Sequence, residues 1–209
     1  MNIKHLLASS TIALASLGAH ASSNLLTDGD FESNGSALPA GSYCYLGGPY
    51  DCGSISGWTG NTPVIIASDS GPWGVPAAQA NGGAALGNFV AGVQGGDSLV
   101  SQFALQAGVT YSLTWSDANR TNYGYQQSYT VTAGDVNIAS ESTTYGAGWV
   151  THIATFTADG SGPLAFTGLA ADDATSFIDN VSLSAVPEPG NALLLLVGLL
   201  PFVARRRRA

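Results

Sequence analysis

Val109-Thr110-Tyr111-Ser112-Leu113-Thr114-Trp115 alternates an oily residue with a hydroxylated one over its whole length. Successive side chains of a strand point to opposite faces. Val109, Tyr111, Leu113 and Trp115 therefore share one side, and Thr110, Ser112 and Thr114 the other, which is the signature of a half-buried strand. Leu99 to Leu105 repeats the pattern through Leu99, Phe103 and Leu105, with Ser101 as its weak member. The same reading predicts strands over Pro63 to Ala67, Ala84 to Ala91, Ser128 to Ile138, Trp149 to Phe156, Leu164 to Leu169 and Phe177 to Leu183. Clusters of Gly, Asp, Asn and Ser punctuate them, such as Gly95-Gly96-Asp97 and Ala107-Gly108. About nine strands without a helical segment predict an all-β, antiparallel β-sandwich of the jelly-roll kind. No internal repeat points to a propeller or β-helix.

The two ends of the 209-residue chain read differently. Residues 1–21 have a basic start at Lys4, an apolar stretch from Leu6 to Ala19 and a small-x-small close at Ala19-His20-Ala21. That is the layout of a cleaved secretory signal peptide, the rival being an uncleaved anchor. Residues 22–186 are the expected ectodomain, long enough for one sizeable core. Residues 187–209 form a tail: Pro187-Glu188-Pro189, then an apolar run from Asn191 to Ala204, then Arg205, Arg206, Arg207 and Arg208. As a helix the run would reach about 21 Å, short of a ~30 Å hydrocarbon core. The arginines would stay on the cytoplasmic side.

Charge narrows the function classes. The chain carries a formal −8, yet five of its six basic residues lie in the two ends. The ectodomain keeps Arg120 alone against thirteen acids, a net −12. Such a surface repels phosphate backbones, which excludes nucleic acid as a partner. Cys44 and Cys52 flank a turn-prone insert, and in an exported chain an even pair at this spacing predicts a disulfide. A metal-binding reading of the pair has no further cysteine and only the distant His152 to complete it.

Two resemblances follow from these residues. The tail, in the order Pro187-Glu188-Pro189, Leu193 to Val203, Arg205 to Arg208, resembles the PEP-CTERM sorting signal. That likeness implies an exosortase as processing partner, a transient inner-membrane stage and a destination in the cell envelope, on the surface or in the extracellular matrix of a Gram-negative-type bacterium. A plain C-terminal transmembrane anchor helix is the alternative. The ectodomain, from Asn24-Leu25-Leu26-Thr27-Asp28-Gly29-Asp30-Phe31-Glu32 through Gly57-Trp58, Ser101 to Tyr111 and Gly148-Trp149 to Phe177-Ile178-Asp179-Asn180-Val181-Ser182-Leu183, resembles galactose-binding-like jelly rolls among carbohydrate-binding modules. The resemblance implies a structural calcium where the first and last strands meet. Glu32 and Asp179 match its positions best, with Asp30 and Asp28 as extras; no other cofactor is implied.

Glycan recognition needs rings against sugar C–H faces and amides or carboxylates for the hydroxyls. Asp117 to Gln127, expected as a loop, is the richest stretch, with Arg120, Asn122, Tyr123 and Tyr125; Trp73 in Gly71-Pro72-Trp73-Gly74 is the second candidate. Rim packing is the competing role for these rings, and core packing is expected for Trp58, Trp115 and Trp149. No catalytic residue is expected. His152 is the ectodomain's only histidine and is predicted to face solvent from its strand. No nucleophile elbow, P-loop or His-Glu-x-x-His is present, and Asp172-Asp173 reads as a solvated turn. Two readings remain. One is a module that binds exopolysaccharide or cell-wall glycan; the other is a structural envelope or biofilm-matrix protein without specific glycan binding.

Overall fold

The computed structural model describes residues 23–34, 38, 42–46, 50–51, 53–68, 70–77, 87–123, 125–169 and 173–187. The expected signal peptide, Cys52, Glu188, Pro189 and the rest of the tail lie outside them. Among the described residues no helix is long and apolar enough to cross a membrane.

The body is an all-β, antiparallel jelly-roll sandwich. Among the described residues a 3-10 turn, Glu32–Asn34, precedes strands β1 (Tyr43–Tyr45), β2 (Trp58–Asn61), β3 (Val64–Ala67), β4 (Phe89–Val93), β5 (Ser98–Ala104), β6 (Thr110–Asn119), β7 (Gln127–Ala133), β8 (Val136–Thr143), β9 (Val150–Thr157), β10 (Pro163–Gly168) and β11 (Ser176–Ala185). One sheet has the order β1-β3-β4-β11-β6-β9, the other β2-β5-β10-β7-β8. Every pairing between these strands is antiparallel.

The alternation that predicted β6 does what its chemistry requires. Tyr111, Leu113 and Trp115 point between the sheets, buried with Trp58, Leu99, Tyr129, Val131, Phe166, Ile178 and Leu183. Phe166 lies at the centre, with ring centroids 6.5 Å from Trp58, 6.1 Å from Trp115 and 6.3 Å from Tyr129. Ser101, the weak member of its strand, also faces inward. Its hydroxyl accepts the Leu164 amide at 3.2 Å and donates to the Phe103 carbonyl at 3.3 Å, which satisfies a buried polar group.

A second apolar cluster lies on the outer face of the six-stranded sheet. Val64, Ile66, Val90, Ala118 and Phe177 meet Trp73 and Trp149 there. The segment 70–77 supplies the cover, and Trp149 fastens it by donating its indole N–H to the Pro76 carbonyl at 3.0 Å. Trp58, Trp115 and Trp149 thus all serve packing, as expected.

Four expectations need correction. Residues 128–138 are two strands, because Gly134, at φ 61°, turns the chain at Gly134-Asp135. Pairing in the 84–91 segment begins at Phe89 and runs on to Val93; residues 84–86 lie outside the described set. β6 runs four residues past Trp115, so Asp117 and Asn119 belong to the strand and are buried. His152 points inward and does not face solvent: its ring stacks on Trp115 at 5.1 Å.

Phe166→Ala removes the ring that three other aromatics pack against. It should cost about 3–5 kcal/mol in equilibrium denaturation. A loss below about 1 kcal/mol would mean the core is not assembled around it.

Candidate functional site

The tyrosines of β1 explain how the site is built. In Tyr43-Cys44-Tyr45, period two sends Cys44 into the inter-sheet core and both tyrosines to the outer face. There Tyr43 meets Trp73 at 5.2 Å, Tyr45 meets Trp73 at 6.4 Å, and Tyr50 adds its ring to Tyr43 at 6.2 Å. The contacts are tilted or edge-to-face, the geometry that aromatic quadrupoles favour.

Arg120 joins this cluster to the next loop. Its guanidinium lies 4.7 Å from the Trp73 ring centroid and 5.7 Å from that of Tyr123. Tyr123 in turn meets Tyr125 at 5.3 Å. The result is a connected ribbon of six rings with one cation in its middle: Tyr50, Tyr43, Tyr45, Trp73, Arg120, Tyr123, Tyr125. Its ends are open, Tyr50 being 76% and Tyr125 69% exposed. Its middle is closed, Trp73 being 5% exposed.

The arginine is fully committed. It donates from Nε to Asn122 Oδ1 at 2.9 Å, from Nη1 to Asp173 Oδ2 at 2.9 Å and from Nη2 to the Pro72 carbonyl at 3.0 Å. Asn122 donates to the same Pro72 carbonyl at 2.7 Å, and Thr121 bonds Gly74 through its hydroxyl at 2.7 Å. Three loops, 70–74, 120–123 and the turn at Asp173, are pinned together by one side chain. Arg120 and Asn122, expected at the ligand, therefore position the rings. Trp73, the second candidate, is buried as their floor, the packing role that competed with its candidacy. Tyr123 and Tyr125 are brought together as expected.

The sequence does not single out Tyr43, Tyr45 and Tyr50, because their stretch reads first as the frame of a disulfide. The Tyr-x-Tyr spacing was the available signal. Cys44 is not a free thiol, and its expected partner Cys52 lies outside the described residues.

The residues expected to hold calcium stand at another corner. Asp28-Gly29-Asp30-Phe31 makes a tight turn with Asp28 at φ 52° and Phe31 at φ 58°. Gly29 is required there: its carbonyl accepts the Val181 amide at 2.8 Å, and any Cβ would strike the Val181 carbonyl. Together with Asn24, Asn180 and Ser182 the turn lines an open polar cleft of about 350 Å³. Glu32 accepts the Phe89 amide at 2.9 Å and the Asn88 side chain at 3.1 Å. Asp179, 1% exposed, accepts the Asn180 amide at 2.7 Å. Burial pushes its carboxyl up to about 8; the Asn180 N–H opposes this, and the charges of Glu32 and Asp30 add to it.

Calcium takes six to eight oxygens. Among the described residues no three His, Cys, Asp or Glu side chains gather to hold a metal. Glu32, Asp30 and Asp179 are the carboxylates that would offer oxygens to such an ion at this corner, with backbone carbonyls needed to complete the set.

No protein-family model matches the sequence, and no curated protein is similar to it. Among solved structures the chain is similar to TmCBM61, solved in complex with beta-1,4-galactotriose. The identity is 18% over 79% of this chain and 100% of that one, with a TM-score of 0.45. It is also similar to the CBM22-1 xylan-binding domain from Paenibacillus barcinonensis Xyn10C, at 14% identity over 73% of this chain and 97% of that one, TM-score 0.44. A third likeness is to the arabinose-bound MgGH51 α-L-arabinofuranosidase, at 15% identity over 78% of this chain and 26% of that one, TM-score 0.48.

The raised Asp179 carboxyl sets a pH dependence. The folded chain holds a proton that the unfolded chain releases near 3.8, so stability falls as pH rises from there through about 8. Asp179→Asn should flatten that slope. Above pH 8 it should stabilise the fold by on the order of 1–3 kcal/mol. A wild-type Tm raised by calcium, with the rise lost in Asp179→Asn, would show a metal at this corner.

Proposed function

We propose that this chain is an exported protein of the cell envelope or extracellular matrix whose ectodomain binds polysaccharide along the aromatic ribbon. The observation that carries the reading is the ribbon itself: two groups of touching rings, six in all, joined by a single arginine, with exposed tyrosines at both ends. A sugar's C–H face gains from lying on such rings, and each tyrosine hydroxyl offers a polar handle. Loops pinned to a rigid sandwich keep the rings in place before a ligand arrives, which lowers the ordering cost of binding.

The ligand class follows from charge. Arg120 is already paired with Asp173, and the remaining surface is acidic, so the ribbon suits a neutral glycan chain over a polyanionic one. In the second reading the same packing serves structure alone, in a matrix protein with no specific glycan. The burial of Trp73 and the commitment of Arg120 favour it.

Sorting completes the proposal. Pro187 follows β11 at the surface. The PEP-CTERM-like tail beyond it would bring the chain to an exosortase after export, with the apolar run held briefly in the inner membrane.

Binding is tested by affinity electrophoresis in gels cast with neutral polysaccharides and with the host's own exopolysaccharide. Retardation is expected in at least one gel. Tyr50→Ala and Tyr125→Ala should each weaken it about tenfold, near 1.4 kcal/mol, with Tm unchanged. Migration unaffected by every glycan would leave the structural reading. Sorting is tested separately with a tag placed after Arg208: the exosortase-bearing host should release it, and a full-length tagged protein in every fraction would refute processing.

A further inference from the structure

The space between the sheets is apolar at one end and polar at the other. At the polar end the inward residues are Asp117 and Trp115 of β6, Tyr129 of β7, Glu141 of β8 and His152 of β9. The Trp115 indole donates to the Tyr129 hydroxyl at 2.7 Å, and that hydroxyl donates to Asp117 Oδ2 at 2.7 Å. The other oxygen, Oδ1, lies 3.0 Å from His152 Nε2. On the opposite edge of the ring Nδ1 lies 3.7 Å from Glu141 Oε1. The imidazole face rests on Trp115, nearly parallel at 16°. β8 and β9 are the margins of the two sheets on this side of the sandwich.

We propose that His152, carried as an imidazolium between Asp117 and Glu141, is a pH-operated bolt that fastens the β9 margin of one sheet to the β8 margin of the other. Asp117 is 3% exposed, and a buried carboxylate is tolerated only when countercharged and hydrogen-bonded. The ectodomain's single arginine is spent on Asp173, so the positive charge that reaches Asp117 is that of His152. The protonated ring sets its charge between the two carboxylates as ion pairs, at 3.0 Å and 3.7 Å. A cation over an indole face is further stabilised by the ring quadrupole. The carboxylates sit on opposite edges of the imidazole and do not converge, so the arrangement holds a proton and not a metal.

The groups facing His152 are Asp117 from β6, Tyr129 through Asp117 from β7, and Glu141 from β8. Burial, then the Asp117 charge, hold the Tyr129 phenol above its ordinary range, so it stays a donor. Contact with Asp117 outweighs partial burial and, with the charges of Asp117 and Glu141, raises His152 above its ordinary 6.5. The bolt is thus fully closed below 6.5 and opens as pH rises through the raised value. Opening leaves Asp117 buried without its countercharge and frees the β8 and β9 margins.

The test uses the full chain in mild detergent, in the Asp179→Asn background so that Asp179 adds no slope of its own. The His152 ring signals, identified by their loss in His152→Phe, are titrated by NMR, and Tm is compared with and without His152→Phe from about pH 5 to about pH 9. The expected results are a midpoint above 6.5 that falls in Glu141→Gln, and a Tm deficit of roughly 2–4 °C or more at low pH that shrinks as pH rises. Amide exchange should quicken in β8 and β9 across the midpoint and not in β3 and β4. A midpoint at or below 6.5, or a Tm deficit independent of pH, overturns the proposal. Should His152→Phe fail to fold, the titration of the unaltered ring and of Glu141→Gln decides alone.

Discussion

Positive charge is the scarce resource of this molecule. Between residues 22 and 186 there is one arginine for thirteen acids, and a buried carboxylate in low dielectric must be countercharged, hydrogen-bonded or protonated. Three of them, the exposed Asp173 and the buried Asp117 and Asp179, are handled in three different ways. Asp173 takes the arginine, and the pair ties three loops together beneath the aromatic ribbon. Asp117 takes the Tyr129 hydroxyl and His152, the only histidine of residues 22–186. At Asp179 burial pushes the carboxyl up to about 8. The ribbon, the polar end of the sandwich and the corner at the N-terminal turn are three consequences of the same shortage.

The apolar framework was legible because its signal is local. Val109, Tyr111, Leu113 and Trp115 declare an inward face by their spacing, and they pack against the inter-sheet core. Reading failed where polarity and direction part company. β6 keeps its period of two beyond Trp115, but the inward residues become Asp117 and Asn119, so the strand looked like a loop. His152 is expected at the solvent for the same reason: hydrophilic character suggests an outward direction, although Trp115 and two carboxylates lie inside. The Gly134-Asp135 turn separates the alternation of Tyr129, Val131 and Ala133 from that of Val136 and Ile138, and this one-residue change of phase is the signal that two strands pair here.

The candidate site was half legible. Tyr123 and Tyr125 announce themselves as rings beside amides on a loop. Their partners come from β1 and from residue 73, separated by tens of residues in sequence, and only the antiparallel pairing of β1 with β3 and the crossing of segment 70–77 bring them together. Such long-range convergence leaves no periodic trace. What an alternation could show, the two-residue spacing of Tyr43 and Tyr45, was masked by the more familiar meaning of the cysteine between them. A rigid sandwich carrying pinned aromatic loops is an arrangement suited to surface recognition, where the scaffold supplies order and the loop tips supply contact.

The most direct measurement is ring-resolved NMR of the tyrosines during titration with neutral polysaccharide and with the host's exopolysaccharide. The account predicts shifts at Tyr50, Tyr43, Tyr123 and Tyr125, while the core Tyr129 stays still. Saturating glycan that moves none of the ribbon tyrosines, or that moves only rings elsewhere such as Tyr145, would contradict it.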